Sequence, residues 1–248
     1  MPAPYLIRAW IDDARIPDRT TYPFCLPIFK NGFDLTFSKA VTILVGENGS
    51  GKSTILEGLA ALAGYDDAGG GKGYMPVDHS AAIERSGVEL AGALRAGWRP
   101  KITEGWFFKA ETFFSVARYL DKAAAEDFGG PPPPDFLSHS HGEGFLRFFD
   151  ERLSRQGIYF FDEPESALSP ARQLAFLKVL RRMQEGGVAQ VVMATHSPIL
   201  MALPDACLLR LQKYGIEETR LEETEHYRLL REFCIDPHGF IDAMLADP

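Results

Sequence analysis

The sequence has little of three features that would assign it to large classes of protein. Only three of its 248 residues are cysteine, and their scattered positions give neither a disulfide framework nor the C-x-x-C spacing of a zinc site. No stretch of about 18 apolar residues is present, so no membrane span is predicted. The first residues lack a basic segment followed by a long apolar one, so a secretory signal is not expected. A cytoplasmic location is therefore predicted.

Basic charge is also scarce. The chain carries 26 Lys and Arg residues against 34 Asp and Glu residues, which gives a net charge of −8. A protein this acidic is a poor candidate for autonomous nucleic-acid binding, although a local basic patch is compatible with the numbers. The hydrophobic fraction of 46% and the charged fraction of 24% are those of a globular protein, so global disorder is excluded.

Short apolar runs alternate with helical patterns along much of the chain. The predicted strands are at 5–11, 41–45, 158–161 and 188–194, with a hairpin at 206–223. Helices are predicted at 54–63 and from Pro170 onward, where Ser169 is a serine N-cap before a proline in the first helical position. The continuously apolar runs are typical of strands buried on both faces. Such alternation favours an α/β fold with a parallel sheet.

The middle of the chain differs from its two ends. Helical patterns there cover 80–96, 112–127 and 142–155, and the second and third place phenylalanines on one face. We therefore predict one domain over residues 1–248. Residues 1–64 and 158–248 would form its α/β core, and residues 65–157 an inserted helical lobe.

Residues 46–53, GENGSGKS, match the pattern G-x-x-x-x-G-K-[ST]. They lie between a predicted strand and a predicted helix, which is the context that supports the pattern. Glycines let backbone N–H groups turn inward around a phosphate, and the helix N-terminus adds partial positive charge. Lys52 can neutralise the β- and γ-phosphates of ATP, and the Ser53 hydroxyl can bind Mg²⁺.

Polar side chains follow the next two predicted strands. Asp162 and Glu163 come directly after 158–161, and His196 follows 188–194. Strand-end acids are often merely solvated, and a lone histidine is more often structural. The phosphate loop changes the balance, because ligands of parallel sheets bind at the carboxyl ends of the strands. Asp162 is expected to hold Mg²⁺, Glu163 to polarise an attacking water, and His196 to face the γ-phosphate.

A further motif precedes Asp162 by 22 residues. Its residues are Ser140-His141-Gly142-Glu143, and they open a predicted helix. A helix N-terminus and a serine hydroxyl can cap a γ-phosphate, here one bound to a second copy of the protein. The alternative is an ordinary helix cap, and the spacing favours the first interpretation.

Together these motifs resemble the ABC-type ATPase head of SMC-like and RecF-like proteins. More closely, they resemble a family of small bacterial predicted ATPases known as AAA-family ATPases. The resemblance also includes 107–111, 161–170 and 225–227, so it covers nearly the whole chain. It implies an α/β P-loop NTPase fold, an ABC-type head with a mixed β-sheet core and a helical lobe. The motif set is specific for ABC-type ATPases and not for any biological process.

The resemblance implies a role for each motif. Asp162 would be the Walker B aspartate, Glu163 the catalytic base, His196 the switch histidine and 165–169 the D-loop. Glu111 would occupy the lid-loop position near Mg²⁺ where transporter ATPases carry glutamine. The signature residues acting across a dimer would be Ser140, Gly142 and Glu143. The Walker A residues would be Gly46, Glu47, Asn48, Gly49, Ser50, Gly51, Lys52, Ser53 and Thr54.

The adenine-stacking aromatic is not assigned by this resemblance. The candidates that precede the phosphate loop are Tyr22, Phe24, Phe29 and Phe33.

The implied activity is Mg-dependent ATP hydrolysis with an ATP-dependent homodimer. A stand-alone role in DNA maintenance or phage defence is one expectation. The alternatives are the ATPase subunit of a membrane transporter and a non-hydrolysing module that recruits an unidentified protein partner. The glutamate in the signature and Glu111 count mildly against the transporter, and Glu163 with His196 counts against the non-hydrolysing module.

Overall fold

The computed structural model describes residues 2–72, 86–102, 104–110 and 141–246. Within these residues the strands are β1 Leu6–Ile11, β2 Asp34–Thr36, β3 Val41–Val45, β4 Leu94–Trp98, β5 Gly105–Lys109, β6 Gly157–Asp162, β7 Ala189–Ala194, β8 Cys207–Gln212 and β9 Gly215–Thr219. The helices are α1 Lys52–Ala63, α2 Ser86–Ala93, α3 His141–Leu153, α4 Pro170–Gly186, α5 Pro198–Met201, α6 Glu225–Ile235 and α7 Pro237–Ala246. Single 3₁₀ turns lie at Asp13–Arg15, Pro27–Phe29, Pro164–Ala167 and Leu221–Glu223.

The strands form two sheets. A three-stranded antiparallel sheet has the order β2-β1-β4, and a six-stranded sheet has the order β5-β6-β7-β3-β8-β9. The larger sheet is parallel apart from the β8–β9 hairpin. The α/β class and the mixed β-sheet core are thus confirmed, while the antiparallel N-terminal strands form a sheet of their own.

The register of the larger sheet brings the predicted motifs to one edge. Lys109 of β5 pairs with Asp162 of β6, and Asp162 pairs with Ala194 of β7. Ala194 also pairs with Leu44 of β3. Because these strands are parallel and in step, the chain segments that follow them leave the sheet side by side. The phosphate loop, the two carboxylates and His196 therefore lie at one edge.

Two apolar clusters cover the faces of this sheet. One includes α1, where Ile55, Leu56 and Leu59 are fully buried. The other is rich in phenylalanine and includes α3 and α4, with Phe145 and Phe176 in edge-to-face contact at 5.1 Å between ring centroids. Burial of these large rings accounts for the phenylalanines that the sequence places on one face of a helix.

Most of the predicted elements are present with small shifts at their ends. Strands β3, β6 and β7, helices α1 and α4 and the β8–β9 hairpin lie where the patterns predict them. Helix α1 begins at Lys52, inside the phosphate loop, rather than at residue 54. Ser169 is the N-cap residue of α4, with proline in the first turn, as predicted.

The helix predicted at 80–96 is wrong at its C-terminal end. Helix α2 stops at Ala93, and Leu94–Trp98 forms β4, which pairs with β1. Pairing with the edge of β1 buries Leu94 opposite Ile11, and such tertiary contacts outweigh a weak local helical preference. Strand β5 also lies within the segment predicted as a helical lobe. The division into core and lobe stays a prediction, and the helix predicted at 112–127 lies outside the described residues.

Candidate active site

The phosphate loop connects β3 to α1. Gly49 and Gly51 have φ angles of +75° and +94°, a left-handed conformation that glycine adopts at little cost. A Cβ atom on Gly46 would lie 3.0 Å from the carbonyl oxygen of Leu211 and 3.0 Å from Ser50 Oγ. Ser50 Oγ is itself buried without a hydrogen-bond partner among the described residues. The conformation of the loop thus favours glycine at these positions. Its Ser50 Oγ atom is available to a ligand.

Lys52 is buried inside this loop. Its Nζ donates hydrogen bonds to the carbonyl oxygens of Gly46 at 2.7 Å and Glu47 at 3.0 Å. Burial lowers the pKa of Lys52, while Glu163 and Asp162 act in the opposite direction. Both hydrogen-bond partners are neutral carbonyls, so the positive charge is only partly compensated. A phosphate group in the loop would supply the missing negative charge.

Ser53 and Asp162 form the candidate magnesium site. Ser53 Oγ donates to Asp162 Oδ1 at 3.0 Å across the gap between α1 and β6. Burial raises the pKa of Asp162 to about 7, against the opposing effects of the Ser53 hydrogen bond and of Lys109. A cation would relieve this cost of burying a carboxylate, and hydroxyl and carboxylate oxygens are ligands that Mg²⁺ prefers. These two residues therefore fit the metal.

Glu163 follows Asp162 directly and differs from it in backbone conformation and exposure. It has a left-handed φ of 46°, which costs an L-residue about 1–2 kcal/mol. Its backbone N–H donates to the carbonyl oxygen of Ala194 at 3.0 Å, which holds this conformation. The Glu163 side chain is 44% exposed, whereas Asp162 is 8% exposed. Backbone strain of this kind is concentrated at functional sites.

His196 lies beside Glu163. Its Nε2 is 3.7 Å from Glu163 Oε1, and its backbone N–H donates to Glu165 Oε1 at 2.6 Å. Burial lowers the pKa of His196, and Lys52 and His226 act in the same direction. These effects favour the neutral form of the imidazole. The geometry agrees with a group that contacts a phosphate without carrying its own charge.

One residue of this site was missed by the motif analysis. His226, in the first turn of α6, brings its Nε2 to 2.8 Å from His196 Nδ1. Residues 225–227 belong to the stretches that carry the family resemblance. That resemblance is the one signal in the sequence that could have pointed to His226.

The remaining predicted residues divide into two groups. Gly142 and Glu143 lie in the first turn of α3, whereas Ser140 and Glu111 lie outside the described residues. The aromatic candidates differ sharply in exposure. The buried ones are Phe24, Phe29 and Phe33, which belong to the core. Tyr22 is 45% exposed, and its hydroxyl lies 2.7 Å from Thr54 Oγ1 at the start of α1.

Comparison with known protein families agrees with this geometry. A family model described as "AAA domain" matches residues 26–96, and one described as "AAA domain, putative AbiEii toxin, Type IV TA system" matches residues 131–202. These matches support the resemblance to ABC-type P-loop ATPases. The two matched segments of the chain contain the Walker A and Walker B motifs respectively. No helix in the described part of the chain is long and apolar enough to cross a membrane.

One similar curated protein is the arabinose import ATP-binding protein AraG of Vibrio parahaemolyticus serotype O3:K6 (strain RIMD 2210633). It is 28% identical over 169 residues, and the match covers 60% of this chain and 32% of AraG. The chain thus spans about a third of the length of this curated relative.

Two solved structures illustrate the similarity to proteins of known structure. The SMC head domain from Thermotoga maritima is 16% identical, with a TM-score of 0.44 over 88% of this chain and 100% of that one. CbiO1 from Clostridium perfringens, part of the ABC transporter complex cbiONQ, is 15% identical, with a TM-score of 0.43 over 97% and 100% of the two chains.

Proposed function

We propose that this protein binds Mg-ATP at the carboxyl ends of the parallel strands and hydrolyses it. One observation carries the proposal: the sheet register brings a buried lysine in a glycine loop, a hydroxyl–carboxylate pair and a strained glutamate beside a histidine to the same place. Each of these groups meets a separate need of phosphoryl transfer, which depends on positioning and charge stabilisation.

The residues divide the work as follows. Lys52 and the N–H groups of residues 46–51 bind the β- and γ-phosphates. Ser53 and Asp162 hold Mg²⁺, which when bound neutralises charge on the phosphates. Glu163 accepts a proton from the attacking water, because its side chain is solvent-accessible and does not belong to the Ser53–Asp162 pair that holds Mg²⁺. His196 donates to the γ-phosphate. Tyr22, the exposed aromatic beside Thr54, stacks on the adenine.

We further propose that two copies enclose two ATP molecules. Ser140, Gly142 and Glu143 of one copy would then complete the site of the other. The 44% exposure of Glu163 and the 25% exposure of the His196 side chain support this, because the catalytic side of the site is open to a partner. ATP binding would close the dimer, and hydrolysis would release it.

Chromatography with light scattering on Glu163→Gln, with and without Mg-ATP, tests both parts. We expect wild-type protein to release phosphate and the variant to accumulate as an ATP-dependent dimer. Glu218→Gln, an exposed glutamate of β9, is the matched control and should hydrolyse ATP and remain largely monomeric. A monomeric Glu163→Gln protein under both conditions would exclude the homodimer, and absence of wild-type turnover would exclude the hydrolase.

The cellular role is proposed to be a cytoplasmic one in defence or DNA maintenance. The family description that mentions a toxin–antitoxin system favours defence. Similarity to AraG favours the second candidate, the ATPase subunit of a transporter. Co-purification separates them: DNA or a nuclease should accompany the first, and a membrane protein the second. A stoichiometric soluble partner without ATP turnover would instead indicate a non-hydrolysing recruitment module.

A further inference from the structure

His226 reaches the site from a part of the chain that none of the nucleotide-binding motifs includes. Helix α6 begins next to the strand edge because Thr224, which is 2% exposed, caps it. Its Oγ1 donates to the Leu221 carbonyl oxygen at 2.7 Å and accepts from the Tyr227 N–H at 3.4 Å. This capped turn places the His226 ring against the His196 ring, with 5.0 Å between the ring centroids.

The two ring nitrogens of His196 have different neighbours. Nε2 faces the Glu163 carboxylate at 3.7 Å, and Nδ1 faces His226 Nε2 at 2.8 Å. Lys52 and Glu47 also act electrostatically on the ring, and Glu165 accepts from the His196 backbone N–H. Glu163 and a γ-phosphate are both hydrogen-bond acceptors. A neutral imidazole has one N–H, so it serves these acceptors only when the proton is on Nε2.

The contact with His226 decides which nitrogen carries that proton. If His226 Nε2–H donates to His196 Nδ1, then Nδ1 is unprotonated and the proton of His196 is on Nε2. The reverse arrangement would turn an unprotonated nitrogen of His196 toward a carboxylate and a phosphate, which are both negative. The first arrangement presents a hydrogen to Glu163 and a lone pair to the His226 N–H, and the second presents a lone pair to Glu163.

We propose that His226 is a positioning residue that donates to His196 Nδ1 and thereby holds His196 in the Nε2–H tautomer. Under the proposed function, on which this inference rests, that N–H is aimed at the terminal phosphate of ATP. Helix α6 is therefore part of the catalytic apparatus without touching the nucleotide. Groups that orient a functional histidine in this way are worth about 10- to 100-fold in activity at metal sites.

Two variants separate the donor from the shape of His226. His226→Gln keeps an amide N–H the same number of bonds from the backbone, and His226→Leu removes all hydrogen bonding. His238→Gln is the matched control, because His238 is an exposed histidine in the first turn of α7. Because His226 is only partly buried, we expect all three variants to fold, and thermal unfolding checks this.

The primary measurement is the tautomer of His196 in the nucleotide-free protein, read from two-bond ¹H–¹⁵N correlations. We expect the Nε2–H form in wild type, in His226→Gln and in His238→Gln, and a mixture of tautomers in His226→Leu. An Nδ1–H form in wild type, or an unchanged tautomer in His226→Leu, overturns the inference. This readout needs no ATP turnover, so it stands or falls separately from the proposed hydrolysis.

The second measurement is the rate of phosphate release. We expect His226→Leu to lose about 10- to 100-fold in turnover, with most of the activity kept by His226→Gln and all of it by His238→Gln. A folded His226→Leu protein with wild-type turnover overturns the positioning role. Equal loss in the Gln and Leu variants shows that the shape of the ring matters rather than its hydrogen bond, and this outcome overturns the inference as well.

Discussion

The candidate site has two halves that differ in burial. The phosphate half is Lys52, Ser53 and Asp162, whose polar groups are already bonded to one another or to the loop. The water half is Glu163 and His196, which are partly exposed. Asp162 and Glu163 are neighbours in sequence, yet they lie in different halves. A single left-handed residue after β6 is what separates the buried, proposed metal ligand from the accessible, proposed base.

Because of this difference, we expect substitutions in the two halves to affect different properties of the protein. Burying charge is unfavourable without a ligand, so the phosphate half should affect binding and folding together. The water half should affect turnover with little effect on either. The following four changes test that distinction.

Glu163→Gln should have the largest effect. Loss of a general base lowers turnover by about 10²- to 10⁴-fold, while ATP affinity should change little because the phosphate half is intact. Phosphate release and nucleotide titration measure the two quantities. Normal hydrolysis by the variant would mean that Glu163 is not the base.

Lys52→Ala should weaken ATP binding by about 10- to 100-fold, the range expected for charge-assisted hydrogen bonds. Calorimetric titration with Mg-ATP measures it. Lys39→Ala is the control, because Lys39 is an exposed lysine just before β3. Unchanged affinity in Lys52→Ala would remove the phosphate loop from the proposal.

Asp162 should make the stability of the Mg-free protein depend on pH. The folded-state pKa of about 7 exceeds the ordinary 3.8, so between these values the folded chain keeps a proton that the unfolded chain releases. Stability therefore falls as pH rises through this window, and the loss is complete above the folded pKa. Asp162→Asn, which resembles the protonated acid, should remove this dependence.

Thermal unfolding without Mg²⁺ at pH 5 and pH 8 tests this expectation. The melting temperature of Asp162→Asn should exceed that of wild type by more at pH 8 than at pH 5, and the gap should widen by about 5 °C, on the order of 2 kcal/mol. Added Mg²⁺ should recover the difference for wild type alone. A wild type that is equally stable at both pH values would contradict the raised pKa.

The smallest effect is expected behind the phosphate half. Lys109 Nζ lies 2.7 Å from Glu57 Oε1, and both side chains are only 12% exposed. Lys109→Met should cost about 1 kcal/mol of unfolding free energy, because it removes the ion pair with Glu57 at a nearly buried position. The double variant Glu57→Gln/Lys109→Met should recover part of this loss in urea denaturation. Additive losses would show that the two side chains do not stabilise each other.

The phosphate half could be predicted from the sequence because its signals are local. The glycine spacing, the strand before it and the helix after it all lie within about two dozen residues. Asp162, Glu163 and His196 were predicted because they directly follow apolar strands, and parallel strands align their ends. No long-range information was needed beyond the existence of one parallel sheet.

His226 and β4 could not be predicted in this way. The His196–His226 contact joins residues 30 positions apart, and it depends on where a capped helix sits against the strand edge. Strand β4 forms because β1 offers an edge with which to pair, although the local pattern of its residues is helical. In both cases the contact that decides the structure is made with a residue far away in the sequence. Local hydrophobic periodicity carries no information about such contacts.

Four residues on adjacent strands are paired in one row across the sheet, and this row fixes the positions of the residues that follow. They are Lys109, Asp162, Ala194 and Leu44. Adjacent strands are held about 4.8 Å apart by their hydrogen bonds. The position of each site residue therefore depends on how many residues separate it from this row. Asp162 lies in this row, and Gly46 and His196 lie two residues beyond it. Insertions in the loops at the far ends of the strands leave this count unchanged. A one-residue slip of any strand would turn its side chains to the opposite face, so the sheet can tolerate many sequences but only one alignment.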